Sequence, residues 1–175
     1  MSTRIRETIQ KLIELDQNLA KLKRSSKVKF IIFGGTAFLL ETDHRFTRDI
    51  DIVLLERIST EQMDLLNRYQ VNNNMQGVLH VPPLEEMRSR MRPLNVRFQC
   101  MEVYLPHPHD LIFSKLLGRA DPRDIDDVIH SGILDKVNLE QLAEEYNDYV
   151  QYTLNPHRCP DIESIIQEYI AKKRK

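Results

Sequence analysis

Two adjacent glycines lie between two short apolar segments, and this arrangement constrains the fold more than any other feature of the sequence. The segment before them, residues 28–33, has the sequence VKFIIF, which is β-branched and aromatic and too short for a helix. Gly34 and Gly35 interrupt the apolar run, as a turn would. The second segment, residues 50–55, is IDIVLL. The pattern predicts a buried strand, a glycine turn, a short helix over residues 36–41 and a second strand.

Further elements surround this pair of strands. Apolar residues recur every three or four positions over residues 2–22, the period of an amphipathic helix, and Ser59-Thr60 is a helix N-cap signal. After these, the pattern predicts a polar loop (71–77), a brief strand (78–81), a helix (84–91), a long strand (95–105) and helices from about residues 111, 122, 138 and 160 onward. The expected fold class is α/β (α+β): a small mixed sheet with packed helices over residues 1–106, and a C-terminal helical extension, residues 107–175, packed on it.

The composition excludes several classes of protein. Hydrophobic residues make up 41% of the 175 residues and charged residues 29%, a balance typical of one globular domain. The net charge of −1 gives no overall basic field for nucleic acid or an anionic membrane. Two cysteines without a CxxC pair support neither a disulfide framework nor a zinc module. The charged first ten residues are unlike a signal peptide, and no apolar run reaches the ~20 residues that cross a bilayer, so a cytoplasmic location is expected.

Asp49 and Asp51 stand two residues apart at the start of the second apolar segment. Side chains two apart in a strand point to the same face, so the two carboxylates are expected to share one side of the sheet. Two carboxylates at so short a distance raise each other's pKa unless a cation or water offsets their repulsion. A divalent metal such as Mg²⁺, which prefers carboxylate and phosphate oxygens, would explain the pair. The alternative is an ordinary strand start, with one acid capping the turn and the other solvated.

The glycine turn is a candidate phosphate site. Gly34 and Gly35 carry no side chain, and the helix predicted after them begins with N–H groups and a dipole that favour an anion. Thr36 adds a hydroxyl at the same place. A phosphorylated ligand bound through a metal would therefore suit the turn and the acidic strand together.

The order and spacing of these segments resemble the signature of the DNA polymerase beta type nucleotidyltransferase superfamily: an apolar strand, Gly-Gly-Thr/Ser, and an Asp-x-Asp strand, here with thirteen residues between Gly35 and Asp49. The pattern from Arg45 through Thr47 to Asp51 resembles minimal bacterial nucleotidyltransferases, including the AbiEii-type toxins. Two downstream segments, DLIFSKL (110–116) and RDIDDV (123–128), are similar to further segments of those groups. The resemblance covers residues 29–128 and leaves the first helix and the C-terminal end unaccounted for.

This resemblance implies a two-metal mechanism. Asp49 and Asp51 would hold two Mg²⁺ (or Mn²⁺) ions that clamp a nucleoside triphosphate and lower the pKa of an attacking hydroxyl. The triphosphate site that the resemblance implies comprises Gly34, Gly35, Thr36, Arg45, Thr47 and Lys115. Among these, Arg45 or Lys115 would neutralise charge on the leaving pyrophosphate.

The superfamily usually has a third carboxylate on a neighbouring strand, as metal ligand and base for the acceptor hydroxyl. Residues 77–81 contain His80 and no acid, whereas residues 97–104 contain Glu102. Glu102 shares a face with Phe98 and Cys100 if side chains alternate, and it would then point inward. We therefore expect Glu102 to be the third catalytic residue. Without it, triphosphate binding would survive but activation of the acceptor would be weakened.

Several polar groups in the second half of the chain have structural explanations as well. Asp124, Asp126 and Asp127 open a predicted helix, where the dipole favours acids in any protein. Lys115 can cover apolar surface instead of reaching a phosphate. The HPHD sequence at residues 107–110 is interpreted as a strand-to-helix turn and not as a metal site. The basic run at residues 172–175 would suit RNA phosphates but is more typical of a solvated helix end.

The sequence thus predicts a metal-dependent transfer of a nucleotidyl group from a nucleoside triphosphate to a hydroxyl of an RNA end, a protein or a small molecule. The alternative is a catalytically silent nucleotide-binding or interaction module, such as one half of a toxin–antitoxin pair. The expected partners are the triphosphate, an unidentified acceptor with RNA among the options, and either a second copy of the chain or a small regulator protein. No membrane partner is expected.

Overall fold

The structure is a computed structural model that describes residues 2–22, 26–44, 48–73, 82–118 and 120–174. Within these ranges the elements, in chain order, are α1 (Thr3–Leu19), β1 (Val28–Phe33), α2 (Gly34–Thr42), β2 (Ile50–Leu54), α3 (Thr60–Arg68), β3 (Val71–Asn72), α4 (Leu84–Arg90), β4 (Arg92–Pro93), β5 (Met101–Leu105), α5 (Pro108–Leu116), α6 (Pro122–His130), α7 (Leu139–Val150) and α8 (Ile162–Lys173). Short 3-10 turns lie at Ile133–Lys136 and Pro156–Arg158. The strand predicted at residues 78–81, with His80, lies outside the described residues.

Three of the helices that the structure describes, α3, α6 and α7, begin at capping residues that the sequence indicates. Ser59 and Gln62 form a reciprocal capping box at α3, in which each side chain accepts a hydrogen bond from the other residue's main-chain N–H. Asp121 caps α6 ahead of Pro122, and Asn138 caps α7. These caps satisfy N–H groups that a helix cannot pair internally. No helix among the residues that the structure describes is long and apolar enough to cross a membrane.

The described strands form one mixed sheet in the order β3-β2-β1-β5-β4. β1 pairs antiparallel with β2 and parallel with β5. β3 runs parallel to β2, and β4 antiparallel to β5. The sheet and its packed helices confirm the predicted α/β (α+β) class.

The two faces of the sheet differ in how they are covered. One face carries Phe30 and Ile32 of β1 and packs into the main hydrophobic core, which the helices complete. Residues from beyond position 107, among them Phe113, Val128 and Tyr146, belong to this same core. The second face carries a smaller cluster, Ile31, Phe33, Val53 and Met87, in which α4 supplies the methionine. We call this side of the sheet the second face.

Two predicted elements differ from the structure. Residues 71–77 were expected to form a loop, yet Val71–Asn72 is a strand, because β2 offers it an edge to pair with. The long strand expected over residues 95–105 begins only at Met101. The N–H groups of Gln99 and Cys100 donate to the Asp16 carboxylate of α1, both at 2.8 Å, instead of to a neighbouring strand. Residues 94–100 therefore connect β4 to β5.

Candidate functional site

Asp51 lies directly against the glycine turn. It stands in β2 opposite Phe33, the last residue of β1. Gly34 follows with φ +60°, in the left-handed region that favours glycine. A Cβ atom at this position would lie 2.6 Å from Asp51 Oδ2. The carboxylate thus occupies the space that any other residue type at position 34 would need, and the structure brings Gly34 and Asp51 together.

The N-terminus of α2 faces the same space. α2 begins at Gly34, two residues earlier than predicted, and its N-cap residue, Phe33, has no polar side chain with which to cap it. The first turn of a helix carries main-chain N–H groups without intrahelical partners and the positive end of the helix dipole. Gly34 and Gly35 therefore present the positive end of a helix beside a carboxylate.

Asp49 is exposed and immediately precedes β2. The Thr36 hydroxyl donates a hydrogen bond to the main-chain carbonyl of Asp49 at 2.9 Å, and Thr36 is almost completely buried. The hydroxyl hydrogen of Thr36 is thus used within the protein, where it ties the first turn of α2 to the start of β2. Asp51 is half-buried, and its register opposite Phe33 puts it on the second face.

Lys11 of α1 also lies near this site, although it was not among the residues predicted from the sequence. Its Nζ donates hydrogen bonds to the main-chain carbonyl of Arg48, at 2.8 Å, and to Gln70 Oε1, at 3.2 Å. Burial lowers the pKa of Lys11, and the negative charge of Asp49 opposes that lowering. Lys11 precedes Arg48 by 37 residues. Its place on the polar side of an amphipathic helix gave no signal of this contact.

The structure does not bring Glu102 to the two aspartates. Glu102 pairs with Lys29 near the start of β1, whereas Asp51 pairs with Phe33 at its end. Four residues of strand at ~3.3 Å each separate the two levels by about 13 Å. Glu102 lies 3.6 Å from the ammonium of Lys27 and 3.7 Å from that of Lys29. The predicted position of Glu102 beside the two aspartates is therefore corrected, because β5 pairs with β1 in a register that puts this residue at the opposite end of the second face.

Two asparagine side chains lie beside the outer edge of β2, one in β3 and one directly after it. Asn72 of β3 pairs with Asp51, and Asn73 Oδ1 accepts the main-chain N–H of Leu54 at 3.2 Å. An asparagine thus lies where a neighbouring strand could place a third carboxylate. Asn72 was not among the predicted site residues, because the polar sequence of residues 71–77 indicates a loop.

Lys115 is held by two buried carboxylates. Its Nζ lies 2.6 Å from Asp124 Oδ1 and 3.1 Å from Asp127 Oδ2, and 5.8 Å from the centre of the Phe38 ring of α2. His44 Nε2 lies 3.7 Å from the other oxygen of Asp127. These contacts join α2 to α5 and α6. Arg45 and Thr47, the other predicted phosphate-binding residues, lie outside the described residues.

The HPHD segment has a structural role, as interpreted from the sequence. His107 caps α5, and the fully buried Asp110 forms an ion pair with Arg90 in which Arg90 Nε donates at 3.1 Å. Glu145 accepts one hydrogen bond from Arg90, at 3.1 Å, and pairs with His109 Nδ1 at 2.9 Å. Burial raises the pKa of Asp110, against the opposing effect of Arg90. The cluster anchors α4 to the C-terminal helices.

The donor set at the turn suits a hard cation that a ligand helps to bind. Asp49 and Asp51 offer carboxylate oxygens, and the part of the chain that the structure describes contains no group of three or more His, Cys, Asp or Glu side chains able to hold a metal ion. Mg²⁺ is commonly bound by one or two carboxylates together with substrate phosphates and water. The residues present therefore fit a metal whose coordination a phosphate completes.

Comparison with known proteins identifies a family for this chain. The model of a family described as "Nucleotidyltransferase of unknown function (DUF6036)" matches residues 10–174. No curated protein matches the chain, and no solved structure does. The family match includes most of α1 and all of the C-terminal helices, which the motif resemblance left unaccounted for. This chain therefore belongs to the DUF6036 family of nucleotidyltransferases of unknown function.

Proposed function

We propose that this chain is a metal-dependent nucleotidyltransferase of the DNA polymerase beta superfamily, similar to the minimal AbiEii-type proteins, which moves a nucleotidyl group from a nucleoside triphosphate to an acceptor hydroxyl. One observation carries the proposal: the place of a Cβ atom at Gly34 is only 2.6 Å from Asp51 Oδ2. A carboxylate and a helix N-terminus thus border the same space. The first attracts a cation and the second an anion, which is what a metal–triphosphate complex requires.

The residues would divide the work as follows. Asp49 and Asp51 would hold Mg²⁺ or Mn²⁺, and the main-chain N–H groups at Gly34 and Gly35 would bind phosphate oxygens. When bound, the metal supplies neutralisation of the phosphate charge. Thr36 would keep the start of β2 against the turn, through its bond to the Asp49 carbonyl.

A labelling experiment tests this proposal. The pure protein is incubated with each α-labelled nucleoside triphosphate, with Mg²⁺ or Mn²⁺ and with a cell extract, and the RNA, protein and small-molecule fractions are separated. We expect one fraction to carry label with the wild type and with the surface control Asp64→Asn, and no label with Asp51→Asn. Transfer that survives Asp51→Asn would contradict the site assignment.

A second candidate function is a catalytically silent nucleotide-binding module, for example within a toxin–antitoxin pair. The observation that favours it is the absence, among the described residues, of a third acid near the aspartates: Asn72 stands next to Asp51, and Glu102 pairs at the far end of β1. Thermal melting with ATP and Mn²⁺ distinguishes the candidates, since a ligand that binds only the native state raises the midpoint. A raised midpoint with no labelled product under any condition would support the silent module.

A further inference from the structure

Asp49 is an exposed residue whose main chain is held from three sides. The carbonyl just before it accepts a hydrogen bond from Lys11 of α1 at 2.8 Å. Its own carbonyl accepts one from Thr36 of α2 at 2.9 Å. The N–H that follows it donates to the carbonyl of Gln70 at 2.9 Å. Three separate parts of the fold thus fix the two peptide groups that flank Asp49, one on each side of its exposed carboxylate.

Gln70 provides a second, independent observation. Its φ of +55° lies in the left-handed region, which is disfavoured for any residue with a side chain other than asparagine or aspartate. In this conformation the main-chain carbonyl of Gln70 accepts a hydrogen bond from the N–H of Ile50. The side-chain oxygen of Gln70 accepts one from Lys11, at 3.2 Å. Conformations of this kind persist where the surroundings hold them, and they concentrate at functional sites.

We propose that Lys11 is a positioning residue for the metal ligand Asp49, and that α1 thereby determines how tightly the site binds a divalent metal. This inference rests on the proposed function. The hydrogen bond from Lys11 to the Arg48 carbonyl fixes the peptide before Asp49 and so limits the directions that the Asp49 carboxylate can take. Groups that orient a metal ligand typically change metal affinity 10- to 100-fold when they are removed.

Positioning and simple charge predict opposite results at this residue. The ammonium of Lys11 repels a divalent cation, so neutralising it without any change in geometry would strengthen metal binding. If Lys11 instead holds Asp49 in place, its loss weakens metal binding. The sign of the change therefore separates the two roles.

The test compares three variants in a titration with Mn²⁺ alone and with Mn²⁺ and ATP, in which electron paramagnetic resonance measures free Mn²⁺. Lys11→Met removes both hydrogen bonds, Lys11→Arg keeps a cation and its donors, and Lys21→Met removes a lysine in the turn after α1 that bonds to Asn18. We expect Lys11→Met to bind Mn²⁺ about tenfold more weakly. Lys11→Arg and Lys21→Met should stay close to the wild type. Equal or tighter binding by Lys11→Met would overturn the inference.

A measurement without ligand separates this inference from the proposed function. Hydrogen exchange at the Ile50 amide, which donates to the Gln70 carbonyl, should be faster in Lys11→Met than in Lys21→Met, with circular dichroism unchanged. If the wild type binds neither Mn²⁺ nor ATP, the proposed function fails, and unchanged exchange at Ile50 would then overturn the positioning role too. If the wild type binds and Lys11→Met binds equally well, only the inference fails.

Discussion

Gly34→Ala is the substitution whose effect follows most directly from the geometry of the turn. Two costs arise. A left-handed φ costs a residue with a Cβ atom about 1–2 kcal/mol, less the ~0.4–1 kcal/mol gained because alanine restricts the unfolded chain. The new Cβ would also stand 2.6 Å from Asp51 Oδ2, so the carboxylate must rotate away, at ~0.5–1.5 kcal/mol for an off-rotamer side chain. We expect a total loss of about 2 kcal/mol, or roughly 4–8 °C in Tm for a chain of this size.

Gly132→Ala is the matched control. Gly132 also has a positive φ, of +80°, but a Cβ atom there would lie 3.6 Å from Asp135 Oδ2, which is an ordinary van der Waals contact. It therefore incurs the backbone cost alone, about 1 kcal/mol. Urea unfolding of both variants measures the difference, and binding of Mn²⁺ with ATP should be lost only in Gly34→Ala.

A double-mutant cycle with Asp51→Ala isolates the contact. In the Asp51→Ala background the carboxylate is gone, so Gly34→Ala should cost only about 1 kcal/mol, as Gly132→Ala does. The difference between the two backgrounds measures the clash between the Cβ atom and Oδ2. An equal cost of Gly34→Ala with and without the Asp51 carboxylate would refute the reasoning that this carboxylate lies against the turn.

Three further predictions concern the polar contacts that hold the fold. Asp16→Ala should lower the free energy of unfolding in urea by about 2–4 kcal/mol, because two main-chain N–H groups lose their acceptor. Asp16→Asn keeps one acceptor oxygen and should cost less. Equal losses in the two variants would contradict this prediction. Lys115→Met should cost about 3–5 kcal/mol, because two buried aspartates lose their lysine, and a neutral result would show that the ion pairs contribute nothing net. Burial raises the pKa of Glu145, but His109 and Arg90 outweigh it and hold that pKa below its ordinary value. The stabilising contribution of the ionised Glu145 carboxylate is therefore complete above the unfolded pKa of about 4.3 and is lost as pH falls through the lower folded pKa. The difference in the free energy of unfolding between wild type and Glu145→Gln should therefore narrow below about pH 4. A gap that stays constant from pH 7 to pH 3 would contradict that prediction.

The sequence alone predicted those elements whose signals come from neighbouring residues. The first two strands, the glycine turn between them and the capped starts of α3, α6 and α7 lie where the sequence predicts, because apolar runs and capping side chains act on their immediate neighbours. Gly34 is the clearest case. The sequence predicted a turn at this glycine, ahead of a helix. The φ of +60° and the contact with Asp51 show why another residue type would not fit there.

Contacts between distant segments depended on tertiary packing. Burial alternates along β5, as its sequence indicates. The distance of Glu102 from Asp51, however, follows from the parallel register of β5 on β1, which pairs Met101 with Val28 and buries both. β3 is a strand because β2 offers unpaired edge groups, although VN in a polar stretch has no strand signal. Lys11 meets the segment before Asp49 only because α1 packs across that end of the fold. The local order of the chain thus determined its first two strands, the glycine turn and the capped helix starts. The distance of Glu102 from Asp51 and the contact of Lys11 with the segment before Asp49 were decided by strand register and helix packing, which depend on burial summed over the whole core.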